Sequence, residues 1–107
     1  MTMYIQCGNL TDVAAEPEFD WDERNIAHLK RHRVTPEEFE QVILSDPFEL
    51  EYQVGVGEER YKALGMTVEG RILAVVWTPR EGRVRAVTAY PAGRSLRKVF
   101  LKYLGRT

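Results

Sequence analysis

A single cysteine, Cys7, stands in the 107 residues, which excludes an intramolecular disulfide framework and any cysteine-based zinc cluster. Long apolar runs are missing too: the longest strictly apolar stretch, Ile72 to Trp77, is six residues, against the ~20 a helix needs to cross a bilayer. The first residues lack the basic-then-apolar layout of a secretory signal. No HExxH signature, G-x-S-x-G nucleophile turn, P-loop or dinucleotide fingerprint is present, and Gly55-Val56-Gly57 is a lone pair of loop glycines. Histidine is scarce, only His28 and His32. Their i, i+4 spacing lets both face one way on a helix, but no neighbouring Cys or carboxylate completes a metal site. The expectation is an intracellular, cytoplasmic domain that needs neither a metal nor an organic cofactor.

At 107 residues the chain has room for one domain. Hydrophobic residues at 44% and charged ones at 29% are the proportions of a globular protein rather than a disordered tail. The net charge of −1 hides an uneven distribution. Residues 1–59 carry fourteen Asp and Glu against four Lys and Arg, a balance of −10. Residues 60–107 carry two acids, Glu69 and Glu81, against eleven bases, a balance of +9. Either the second half faces a polyanion, or the two halves neutralise each other in the fold.

Residues 1–18 show no sustained period and read as an irregular leader, with a short strand near Met3–Gln6. Phe19-Asp20-Trp21 alternates as a strand. Asp22 is placed to cap a helix over residues 23–32, with Ile26 and Leu29 on its apolar stripe. Thr35-Pro36-Glu37-Glu38 is a capping box with proline at the first helical position. Val34 and Phe39 occupy the staple positions, and Ser45-Asp46-Pro47 stops this second helix. Phe48 to Gln53 alternates as a strand, followed by a loop over Gly55–Glu59. Three further strands are expected, Arg60–Val68, Arg71–Thr78 and Arg83–Tyr90, joined by turns at Glu69-Gly70 and Pro79–Gly82. Ile72 to Trp77, apolar throughout, reads as a central strand covered on both faces. Arg94 to Leu104 forms a closing helix that stops at Gly105. Together these make one α+β domain over residues 19–107: two N-terminal helices, a small antiparallel meander sheet and a C-terminal helix.

The chemistry left to such a chain is that of arginine. Arg60, Arg71, Arg80, Arg83 and Arg85 lie at the ends or on the faces of the three strands, and Arg94, Arg97, Lys98 and Lys102 on the last helix. Guanidinium forks onto phosphate oxygens through two parallel hydrogen bonds, which ammonium cannot do. On simple alternation Arg85 shares a face with Val87, where it either spoils an apolar surface or lines a groove. Tyr61, Trp77 and Tyr90 in the same half offer faces on which bases stack. The bland alternative pairs these bases with the acids of the first half.

Taken in order, several short motifs resemble one family. Phe19-Asp20-Trp21-Asp22, the helix ending Lys30-Arg31-His32-Arg33-Val34, and the helix opening Thr35-Pro36-Glu37-Glu38 are similar to the first half of the BrnT family. Glu59-Arg60-Tyr61, Leu64-Gly65-Met66-Thr67, Gly70-Arg71-Ile72-Leu73, Thr78-Pro79-Arg80, Val84-Arg85 and Thr88-Ala89 are similar to its second half. Each piece is weak, but the ordered series from Phe19 to Phe100 is fairly specific. The resemblance implies a RelE-like fold and the toxin role in a type II toxin–antitoxin system. It implies an RNA substrate cut without metal, a small DNA-binding antitoxin as partner, and a homodimer or toxin–antitoxin hetero-oligomer as the assembly. In such cleavage a ribose 2′-hydroxyl attacks its neighbouring phosphorus, and fixed positive charge stabilises the dianionic phosphorane. Arg60 and Arg80 match family positions and are the first candidates for that task, with Arg85 next. His32, matching the family's K-H step, exchanges protons near neutral pH, and Tyr90 is a substitute proton donor. Lys30, Arg31, Lys62, Arg83, Arg94 and Arg97 are the expected contacts to the rest of the RNA.

The chain also departs from that pattern. Where the family usually shows S-A-R it has Thr88-Ala89-Tyr90; where the last helix usually carries a glutamate and a tyrosine it has Leu96 and Phe100. The glycine after the K-H step is Arg33, a strained choice if that position needs φ > 0. These losses keep open a second expectation, a non-catalytic, degenerate relative that binds RNA or a protein partner. A DNA-binding regulator is disfavoured, since no helix-turn-helix glycine turn or dimer symmetry cue is visible.

Overall fold

Asp22 begins the first helix as expected, by reciprocal capping: Asn25 N–H donates to Asp22 Oδ1, and Asp22 N–H donates to Asn25 Oδ1, both at 2.9 Å. In the computed structural model, which describes residues 17–55 and 58–105, this helix is α1 (Glu23–Arg31), preceded by β1 (Phe19–Asp20). Most of the leader, the strand near Met3–Gln6 and Cys7 lie outside the described residues, as do residues 56–57 of the expected glycine loop. α1 ends in a Schellman arrangement: Val34 N–H donates to Leu29 O (3.1 Å) and Arg33 N–H to Lys30 O (2.9 Å). α2 (Pro36–Leu44) opens on the capping box of Thr35 and Glu38, with both bonds at 3.1 Å. Val34 and Phe39 are buried in one cluster, as staple residues should be.

β2 (Phe48–Gly55), β3 (Glu58–Met66), β4 (Ile72–Arg80) and β5 (Arg83–Pro91) follow, and α3 (Arg94–Leu104) closes the chain. Consecutive strands β2 to β5 pair antiparallel. The sheet is nevertheless not the simple antiparallel meander expected: β1 adds in parallel beyond β5, giving a mixed five-stranded sheet in the order β1-β5-β4-β3-β2. The cause is long-range. Phe19 packs against the core and edge-on to Phe39 (ring centroids 6.4 Å), while Asp20 lies beside Arg85, its parallel partner. Asn25, buried, ties the elements together by donating through Nδ2 to Asp20 O (3.0 Å) and Ala86 O (3.4 Å).

Boundaries shift for local reasons. Glu58 and Glu59 belong to β3 rather than to a loop, because their backbones pair with Gly55 and Val54. The β3–β4 connection is longer than two residues, running from Thr67 to Arg71 with Gly70 at φ 91°. The β4–β5 turn is shorter than expected: Glu81 and Gly82, at φ 54° and 77°, make a two-residue primed turn, and Pro79 and Arg80 stay in the strand. Proline is tolerated because β3 pairing has ended at Tyr61 and Trp77. Beyond that point the Glu59 carbonyl accepts from Thr78 Oγ1 at 2.6 Å.

Two cores form because side chains alternate along β3 and β4. Ala63, Leu73 and Val75 join Leu29, Phe39 and Val42 under α1 and α2; Leu64, Ile72 and Ala74 join Phe100 under α3. The α3 face is covered only at this end. Toward Arg60, Thr78 and Arg80 the same face lies open.

Candidate active site

On the open face the backbone register sets neighbours. Lys62 pairs with Val76 and Val76 with Thr88, Ala74 with Tyr90, and Thr78 with Arg85. The ladder slips between Val76 and Trp77, which pair with Thr88 and Ala86, so Val87 is an extra residue in β5. This bulge extends the simple alternation: Thr88 and Tyr90 join the face of Arg85, and Val87 lines the same cleft as Arg85. Arg60 and Arg80, each two residues from a member of this face, follow by period.

The result is a cleft of about 660 Å³ walled by α1 and floored by three strands. Arg60 of β3, Arg80 of β4 and Arg85 of β5 all line it, together with Arg24 and His28 of α1 and Thr78. Their electrostatic states differ. Arg85, with a side chain 15% exposed, donates through Nη2 to Asp22 Oδ2 at 2.9 Å and lies 3.6 Å from Asp20 Oδ1. Asp22 is correspondingly held below the usual carboxylate range, first by the Asn25 N–H and then by Arg85, against a partial desolvation that raises it. Arg60 meets Glu58 at 3.4 Å with both side chains nearly half exposed, a pair worth little. Arg80 has no ion pair among the described residues. Glu58 and Glu59 sit at the rim, so the cleft is not uniformly positive.

His32 and Tyr90 come together outside this lining, with ring centroids 6.4 Å apart. Tyr90 packs on the cluster under α3, and Lys62 Nζ lies over its ring at 5.9 Å. The other expected RNA contacts are spread out. Lys30 and Arg31 are exposed on α1, Arg83 pairs with Glu18 at 3.5 Å, and Arg94 and Arg97 are on α3, where Arg94 joins Lys98 and Lys102 around a separate shallow depression. Arg71 is structural, donating to Glu38 at 2.7 Å and to Arg33 O at 3.0 Å.

His32 lies outside the cleft lining, whereas His28 is part of it, with Nε2 3.1 Å from Thr88 Oγ1. The signal was present as a polar stripe, Arg24, Asn25 and His28, running along α1 beside apolar Leu29. Among the described residues no group of three or more His, Cys, Asp or Glu is placed to hold a metal ion, and no helix is long and apolar enough to cross a membrane.

Guanidiniums from three adjacent strands gather in one cleft on the open end of a helix-backed α+β sheet, and guanidinium is the side chain that pairs with phosphate oxygens through two parallel hydrogen bonds. Residues 21–95 match the family described as the ribonuclease toxin, BrnT, of type II toxin–antitoxin systems, and the chain belongs to that family. No curated relative matches the chain. The matched span contains His28, Arg60, Arg80 and Arg85. Membership of a type II toxin–antitoxin family implies an RNA target and an antitoxin partner.

Proposed function

We propose that this chain, a RelE-like domain from residue 19 onward, is the toxin of its pair. It cuts mRNA by attack of a ribose 2′-hydroxyl on the adjacent phosphorus, with arginine in place of metal as the source of positive charge. One observation carries the reading: Arg60, Arg80 and Arg85 line a single cleft although they come from three strands. Arg80, without a carboxylate partner among the described residues, and loosely held Arg60 are open to a phosphate. Arg85, anchored by Asp20 and Asp22, presents a pre-positioned guanidinium. Fixed donors aimed at the phosphorane lower the barrier without reorganising during the reaction. Lys62, Tyr90 and His32 extend the track past the cleft, and Lys30, Arg31, Arg83, Arg94 and Arg97 supply outlying contacts to the RNA backbone. The partner is a small DNA-binding antitoxin that caps the cleft in a hetero-oligomer in the cytoplasm.

The test is incubation of the purified chain with a long mRNA in EDTA. Cleavage is expected, and intact RNA at high protein excess rejects the reaction. A second reading, a non-catalytic module, draws on Tyr90, Leu96 and Phe100, which pack in or against the cluster under α3, where the resemblance expects an arginine, a carboxylate and a phenol. Expression in cells separates the two. An active toxin arrests growth and the Arg60→Ala, Arg80→Ala double variant relieves it; a binding module arrests nothing.

A further inference from the structure

The cleft described above contains charge but, among the residues expected from sequence, no group to take the proton of an attacking hydroxyl. His28 fills that gap. It projects from α1 into the same cleft as Arg60, Arg80 and Arg85, and its Nε2 lies 3.1 Å from Thr88 Oγ1. Thr88 reaches this position only because the Val87 bulge turns it to the face of Arg85.

The geometry points to His28 as the proton acceptor of the cleft, held in one tautomer by Thr88, an inference that rests on the ribonuclease reading. With Nε2–H donated to Thr88, the lone pair falls on Nδ1, the logic by which a base is oriented through its opposite nitrogen. The ribose 2′-hydroxyl gives its proton to Nδ1 as its oxygen bonds to phosphorus. The bond from phosphorus to the 5′-oxygen breaks, the departing oxygen takes a proton from solvent, and the imidazolium returns its own to solvent. The products are a 2′,3′-cyclic phosphate and a 5′-hydroxyl. The charged and titratable groups facing the ring are Arg24 one turn earlier on α1, His32 one turn later with ring centroids 5.4 Å apart, Arg85 of β5, and Arg60, Arg80, Glu58 and Glu59 across the cleft.

The experiment is the pH dependence of cleavage of a short single-stranded RNA by the full chain. For the wild type the rate rises with pH, as the acceptor loses its proton, and then levels off. His28→Gln lowers it by about 10²–10⁴-fold and removes the rising limb, while binding of the uncleavable 2′-deoxy oligonucleotide is unchanged. Arg80→Ala weakens that binding instead. Thr88→Ser keeps the limb, and Thr88→Val moves it. Thermal melting of His28→Gln and His28→Asn accompanies the assay: loss of rate in a folded variant supports the assignment, and loss that merely follows unfolding of both overturns it. If the wild type cuts RNA and His28→Gln retains rate and limb, His28 is not the acceptor and the ribonuclease reading stands. If the wild type cuts nothing, both fall.

Discussion

Arg33 holds φ at 61°, in the left-handed region that the Schellman end of α1 requires of its first residue past the cap. A side chain there carries a steric cost that glycine avoids, partly offset by the extra freedom glycine has when unfolded. Arg33→Gly is therefore expected to stabilise the protein by about 1 kcal/mol, read as a higher urea midpoint at unchanged slope. The strain was legible through the family resemblance, which expects glycine at this position. Glu38 is a second case in which one side chain serves two purposes. Burial alone would raise its pKa, but the Thr35 N–H and Arg71 outweigh burial and leave the carboxyl below its ordinary value. A depressed folded pKa contributes stability above the unfolded pKa and loses it as pH falls through the folded value. Glu38→Gln should accordingly cost about 1 kcal/mol at neutral pH and progressively less as the solution is acidified below the ordinary glutamate range, a convergence that urea melts at falling pH would reveal.

Between elements, Gly65 sets how closely α2 approaches β3. A Cβ built on it would sit 2.7 Å from Val42 Cγ1, inside contact distance of a fully buried side chain. Gly65→Ala is expected to cost about 1–3 kcal/mol by overpacking, and the added Val42→Ala change should recover part of it in a double-mutant cycle. On the α2 side of the sheet, Tyr52, Tyr61 and Trp77 are direct cross-strand partners, with ring centroids at 4.8 and 4.4 Å. Trp77 is half-buried, so Trp77→Ala should cost about 3 kcal/mol, the lower end for a core tryptophan. An unchanged melting temperature would contradict its place in that stack. Both helix starts were readable beforehand, since a cap and its partner lie three residues apart. The bulge at Val87 was not. Its extra residue is defined only against β4, and the run Arg83–Tyr90 carries no glycine to mark it.

Across the whole molecule, the two charge-biased halves neutralise each other in part. Glu18, Asp20, Asp22 and Glu38 of the acidic half neutralise Arg83, Arg85 and Arg71 of the basic half. Arg80 keeps its charge for the cleft, and Arg60 has only an exposed partner from its own strand. RNA binding should therefore use fewer phosphate contacts than a balance of +9 would suggest. If Arg60 and Arg80, the two cleft arginines left without carboxylates of the acidic half, are the principal ones, the log–log dependence of affinity on salt should have a slope of about −1.4, at roughly −0.7 per contact. A flat response in a filter-binding titration would count against nucleic acid as the ligand, and a slope several times steeper would show that the outlying bases on α1 and α3 take part.

Caps, helix periods and the apolar central strand could be read from residues a few positions apart, because the interactions that make them are local. The charge bias came from composition alone, and the arginines proposed for the site came from their places on the strands and from the family resemblance. Tertiary structure alone decided that β1 would run parallel to β5, that a slipped register would turn Thr88 toward α1, and that His28 rather than His32 would enter the cleft. The first and third depend on contacts between segments 60 or more residues apart and the second on pairing across the β4–β5 hairpin, where pairing energy and packing, not local propensity, select the arrangement.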